Sequence, residues 1–154
     1  MFRREEITMP EKATMKRAAA DKRKGKSAST QAGEFVKEEM DHVREGKHGA
    51  RSAKQAIAIG LSKARRAGVD VKTSKTASAA TRKKARQDEA AAHDGHAPFR
   101  RRSRATESAL AREGHAAASH RALSRQTKAA SRRRTAADRS AAAKRAARTR
   151  AAGH

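Results

Sequence analysis

The chain has 154 residues, with no cysteine, tryptophan or tyrosine, three phenylalanines and two prolines. Without cysteine there is no disulfide, thiolate zinc site, iron–sulfur cluster or catalytic thiol to consider. Ile, Leu, Val and Phe together number 13, well under the roughly 20% below which a highly charged chain is expected to be largely disordered. The hydrophobic fraction of 36% is mostly alanine, which favours helix while burying little area. Long apolar runs are missing too. Ala56 to Leu61 is the longest, far short of the roughly 20 residues of a spanning helix, and Met1 to Glu6 lacks the apolar stretch of a signal peptide. These absences lead to the expectation of a soluble cytoplasmic protein with no membrane partner.

What the chain has is positive charge. Lys and Arg number 39 against 16 Asp and Glu, a formal net charge of +23. Such an excess calls for a polyanionic partner, bound by neutralising phosphates and releasing counterions.

Three regions follow along the sequence. Residues 1–28 form a polar leader in which Thr8 and Pro10 start a short helix over Glu11 to Lys24. Residues 29–72 read as a helical hairpin domain. Ala32, Val36, Met40 and Val43 recur on one stripe with Phe35 at its flank, while Glu34, Glu38, Asp41 and Glu45 fall largely elsewhere. Ser29 or Thr30 begins this helix and Gly46 ends it. Ser52 with Gln55 three residues later is a capping box for a second helix, closed by Gly68. Ala56, Gly60 and Ala64, spaced by four, let a neighbouring helix approach closely. The first helix is net acidic and the second net basic, which favours docking, although each exposed pair contributes only ~0–1 kcal/mol.

Residues 73–154 then read as a low-complexity Ala/Arg/Lys tail, with helical stretches over Ser78–Ala92 and from about Thr106 to Ala152, interrupted at His93 to Pro98. The expected fold class is all-α: a short hairpin carrying a long basic tail that is largely disordered or transiently helical. A hairpin of this size buries too little area to be secure alone, and a homodimer through Val36, Met40, Ile57 and Leu61 is the corresponding hypothesis.

The wording of three segments, Ser29-Thr30-Gln31-Ala32-Gly33-Glu34-Phe35-Val36, His42 through Ser52 and Lys54 through Gly68, resembles a family of small basic bacterial proteins of unknown function. Some of its members carry labels such as plasmid stabilisation or DNA-binding protein. The resemblance implies a bacterial source and marks the hairpin as the defined unit, and it brings no catalytic residues with it. Val69-Asp70-Val71-Lys72 departs from the Pro/Lys-rich segment expected there. The tail is similar in composition to bacterial histone-H1-like proteins.

Candidate phosphate contacts begin at the loop and second helix, where two glycines, a helix N-terminus and Lys47, Arg51, Ser52 and Lys54 come together, followed by Lys63, Arg65 and Arg66. The Walker A spacing is absent. In the tail the candidates are Arg82, Lys83, Lys84 and Arg86, then Arg100, Arg101, Arg102 and Arg104, then Arg132, Arg133 and Arg134, and finally Lys144, Arg145, Arg148 and Arg150. Base-specific readers and stacking aromatics are missing, so binding is expected to ignore sequence.

The expected function is sequence-nonspecific DNA binding, nucleoid-associated, with DNA favoured over RNA. The alternatives are a protein-interaction adaptor whose hairpin docks a partner through its acidic face, and an RNA- or ribosome-associated basic protein. No nucleophile elbow, dinucleotide loop or paired acid points to an enzyme, a cofactor or a small-molecule substrate. His93, Asp94 and His96 lie in a breaker segment, and His42 with Glu38 and Glu45 reads as a solvated helix face, so no metal is expected.

Overall fold

The structure, a computed structural model, describes residues 9–94 and 100–152, with side chains placed for 9–94 and 103–152. Among them are seven α-helices and no strand: α1 (Lys12–Arg23), α2 (Ala28–Arg44), α3 (Ala53–Arg66), α4 (Ala79–Asp94), α5 (Arg100–Leu110), α6 (His120–Arg132) and α7 (Ala136–Ala152), with a 3₁₀ turn at Ala116–Ala118. The chain divides into two compact units between Ser119 and His120, not near residue 72.

The hairpin is the centre of the first unit, and its ends are set by local chemistry. Ser27 caps α2, accepting from the Thr30 amide, two residues before the expected start. Gly46, at φ 75°, turns the chain out of α2 in the left-handed conformation that glycine adopts without penalty. Ser52 Oγ accepts from the Gln55 amide at 3.2 Å, and the Gln55 carboxamide accepts from the Arg51 amide at 2.7 Å. The helices then pack closely. A Cβ built on Gly60 would lie 2.7 Å from the Val36 Cα, and Ala56 and Ala64 are fully buried beside it. Phe35, Ala32, Ala64, Val69, Val71 and Ala18 of α1 form one apolar cluster.

The expected fold of a short hairpin with a disordered tail is overturned. Past residue 72 the chain returns to the hairpin: α4 lies on α3 with Ala85 and Asp88 buried. Leu110 at the end of α5 and Ala117 and Ala118 beyond it are also buried. That segment is tied to the α2–α3 loop through its backbone, Gly49 N donating to Leu110 O and Ala50 N to Gly114 O, both at 3.0 Å. The expectation of disorder holds only if a core needs large aliphatic residues. Among the described residues, nine of the fifteen buried hydrophobic side chains are alanine, so closely approaching helices here replace side-chain volume.

The second unit, His120–His154, holds α6 and α7, neither of which has a buried residue. Alanine propensity and one local cap sustain them: Thr135 Oγ1 accepts from the Asp138 amide at 3.1 Å and donates to its carboxylate at 2.8 Å.

Candidate functional site

The cations expected to contact phosphate separate by environment. Arg51, Lys54, Arg82, Lys83, Arg86 and Arg104 are exposed in the first unit, as are Arg132, Arg133, Arg134, Lys144, Arg145, Arg148 and Arg150 in the second. Ser52 is exposed but spends its hydroxyl on the cap. Arg66 and Lys84 both engage the buried carboxylate of Asp88, Arg66 Nε at 3.0 Å, while Ser62 donates to its other oxygen at 2.7 Å. Burial pushes the Asp88 carboxyl up, but Lys84, Ser62 and Arg66 outweigh that and hold it below the ordinary aspartate range. The Arg100, Arg101 and Arg102 side chains, His96 and Thr8 lie outside the described residues.

Two of the expected phosphate ligands are corrected. Arg65 is buried and its guanidinium donates to the Val71 carbonyl at 3.1 Å, fixing the chain after α3. Lys63 is 3% exposed, between Glu38 Oε1 at 3.2 Å and Glu39 Oε2 at 2.9 Å. Both charged groups are engaged by internal partners. Lys47 is half-buried, pairing with Glu11 Oε1 at 3.2 Å and Glu45 Oε2 at 3.4 Å. Burial lowers the Lys47 ammonium's pKa, but the two carboxylates more than reverse this and raise it.

These pairs belong to a buried polar cluster that helical periodicity alone would place in solvent. Glu38, Glu39, His42 and His48 are all at most 3% exposed. The α2 register is responsible: Phe35, Glu39 and His42 recur at i, i+4 and i+7, so the carboxylate and imidazole share the face of the core phenylalanine. Glu38 Oε2 accepts from the Glu11 amide at 3.1 Å, at the start of α1. The Glu11 carboxylate turns back to His42 Nε2 at 2.8 Å, and His42 and Lys47 together hold its carboxyl below the usual range. His48 Nδ1 lies 3.0 Å from the Gly49 carbonyl, and the His42 and His48 rings meet edge to face with centroids 6.0 Å apart.

At the centre is Glu39. His48 Nε2 stands 3.2 Å from its Oε1 and Lys63 Nζ 2.9 Å from its Oε2. These are ion-pair distances without hydrogen-bond geometry, and among the described residues both oxygens are otherwise unpartnered. Burial drives the Glu39 carboxyl up, and His48 and Lys63 reverse the shift, leaving it below the ordinary range. One ligand atom from each of Glu39, His42 and His48 lies within 4.8 Å of the other two, the chemistry of a metal-ligand set. A signal was present in Glu39-x-x-His42 followed six residues on by His48, once Phe35 fixes which helix face is internal.

Residues 22–75, about a third of the chain, match a family of unknown function (DUF6496). The matched segment runs from the last turn of α1 to beyond α3 and contains Glu39, His42, His48 and Lys63. No curated protein and no solved structure matches the chain. No helix among the described residues is long and apolar enough to cross a membrane.

Proposed function

We propose that this chain binds nucleic acid through the phosphate backbone without reading sequence, and that duplex DNA is the preferred form. The observation that carries the reading is the second unit. Residues 120–154 hold eleven Lys and Arg against the single Asp138, and α6 and α7 bury none of them. A helical surface of that charge attracts phosphates over a Debye length of about 8–10 Å and gains from released counterions. Duplex is favoured over single-stranded RNA because this unit has no Phe, Tyr or Trp, and unpaired bases are held chiefly by stacking on aromatic rings. Nucleoid association is the cellular role consistent with such binding.

The adaptor alternative rests on an acidic face. Glu38 is buried against Lys63, Glu34 pairs with Arg17 at 2.6 Å, Asp41 with Lys37 at 2.8 Å, and Glu45 with Lys47. Internal partners therefore take up the side chains that would have docked a basic protein. The deciding experiment is filter binding of the full chain to duplex DNA across a salt series, with structured RNA as competitor. The expected log–log slope is roughly −0.9 per phosphate neutralised. A salt-independent affinity, or none at low salt, discards the proposal.

A further inference from the structure

We propose that Glu39, His42 and His48 form a binding site for one divalent transition-metal ion of the zinc type, stapling α2 to the α2–α3 loop. The neighbours of each imidazole decide which nitrogen carries the proton. His42 Nε2 faces the Glu11 carboxylate at 2.8 Å, and His48 Nδ1 faces the Gly49 carbonyl at 3.0 Å. Ionised carboxylates and carbonyls only accept, so each of these nitrogens is the one that donates. The remaining nitrogens are His42 Nδ1 and His48 Nε2; the latter faces Glu39 Oε1 at 3.2 Å, and a metal ion takes the place of any proton between them. Among the described residues both nitrogens are buried without a hydrogen-bond partner, as are both Glu39 oxygens. These atoms converge in one buried cluster in which Lys63 reaches only Glu39 Oε2, and a further cation among them would satisfy the rest.

The outer contacts are those that metal-binding residues use. Ligating histidines donate their second N–H to a carboxylate or backbone carbonyl, and ligating carboxylates are themselves supported by a donor. Glu11, Gly49 and Lys63 fill these three positions. Spacing agrees where it is tightest: metal bonds of about 2.0–2.1 Å set tetrahedral ligand edges of about 3.3–3.4 Å, against 3.2 Å between His48 Nε2 and Glu39 Oε1.

Charge points the same way. Among the described residues, Glu11, Glu38, Glu39 and Glu45 pair here with two cations, Lys47 and Lys63. With neutral histidines these groups carry an excess of two negative charges, which one divalent ion cancels. Two extra protons would also cancel it, but the one on His42 Nδ1 would have no hydrogen-bond acceptor among the described residues. Two nitrogens and one carboxylate oxygen suit zinc, cobalt or iron better than calcium or magnesium. The staple is useful in a core built largely of alanine.

The test uses the full chain, stripped with chelator and titrated with zinc chloride and with cobalt chloride. One equivalent is expected to bind saturably, with a rise in melting temperature and, for cobalt, the intense visible absorption of a low-coordinate site. Replacing the outer partner by Glu11→Gln should weaken binding about 10-fold, and the double variant His42→Gln with His48→Gln by at least 100-fold. A triple Gln variant of the exposed His93, His115 and His120 should bind as the parent does. Histidine nitrogen NMR on the unmutated chain decides the matter even if the double variant unfolds: zinc should shift His42 Nδ1 and His48 Nε2 and leave their partner nitrogens protonated. Absence of one-equivalent binding at about 10 μM metal overturns the proposal. So does binding that disappears with the exposed histidines, or a His48 imidazolium paired with Glu39 that zinc leaves unchanged.

Discussion

In Met1–Ser119 there are 28 bases and 15 acids, and among the described residues many acids stand against a specific cation, several of them deeply buried. In His120–His154 eleven bases meet one acid, and neither helix buries a residue. The same residue types thus act under opposite rules. In the first unit an ion taken out of water costs several kcal/mol unless its partner is in place, so a lysine such as Lys63 is structural. In the second, exposed charges repel one another weakly through water and salt and contribute little to folding, which leaves them available for an external polyanion.

The contrast breaks most sharply at Lys63. Lys63→Met leaves Glu38 and Glu39 buried without their shared cation and should cost about 3–5 kcal/mol, measured by urea unfolding. Arg148→Met, on the exposed α7, should stay within about 0.5 kcal/mol. If the two variants lose equal stability, the distinction between the units fails.

The complementary cut removes the second unit. A chain ending at Ser119 should keep its unfolding midpoint but bind duplex DNA about 10²–10³-fold more weakly at low salt, its salt slope becoming shallower by about 0.9 for each phosphate no longer neutralised. Full retention of DNA affinity would place binding on the first unit and refute the assignment of α6 and α7.

A smaller effect tests whether the segment after α5 is part of the first unit. A Cβ on Gly49 would lie 1.9 Å from the Glu113 carbonyl oxygen, which backbone cannot yield without moving. Gly49→Ala should cost about 1–3 kcal/mol, the range of overpacking, and should release hydrogen-exchange protection at the Gly49 and Ala50 amides. Unchanged protection would mean that residues 110–118 do not dock on the loop.

How much of this was legible follows from the range of each signal. Gly46, the Ser52–Gln55 cap and Gly68 act within a few residues, and sequence alone exposes them. Glu39 and His42 occupy core positions of α2, yet their burial depends on Lys63 of α3 and on Glu11, which caps α1, both remote in sequence. Periodicity assigns charged residues to water, so it reads such a cluster as solvent-facing. The docking of residues 110–118 is carried largely by backbone amides at Gly49 and Ala50 and by small alanines, and leaves almost no apolar trace in the sequence.

Asp88 gives the smallest loss expected at a buried charge and the most direct check on the buried-ion rule. It is 2% exposed, yet its partners Arg66 and Lys84 lie 36% and 56% exposed, so solvent screens the pairing and Asp88→Asn should cost only about 1–2 kcal/mol at neutral pH. The folded carboxyl is held below its ordinary range by Lys84, Ser62 and Arg66 despite burial. A depressed folded pKa means that the unfolded chain takes up the proton first as pH falls. The contribution of Asp88 is therefore complete above the ordinary aspartate range and declines as pH drops through that range to the lower folded value. The parent and Asp88→Asn chains should accordingly differ in urea midpoint at neutral pH and converge in acid. A difference that is constant with pH would mean that Asp88 holds α4 to α3 by packing and neutral hydrogen bonds, and that the charge of this pair belongs with the exposed arginines of α7.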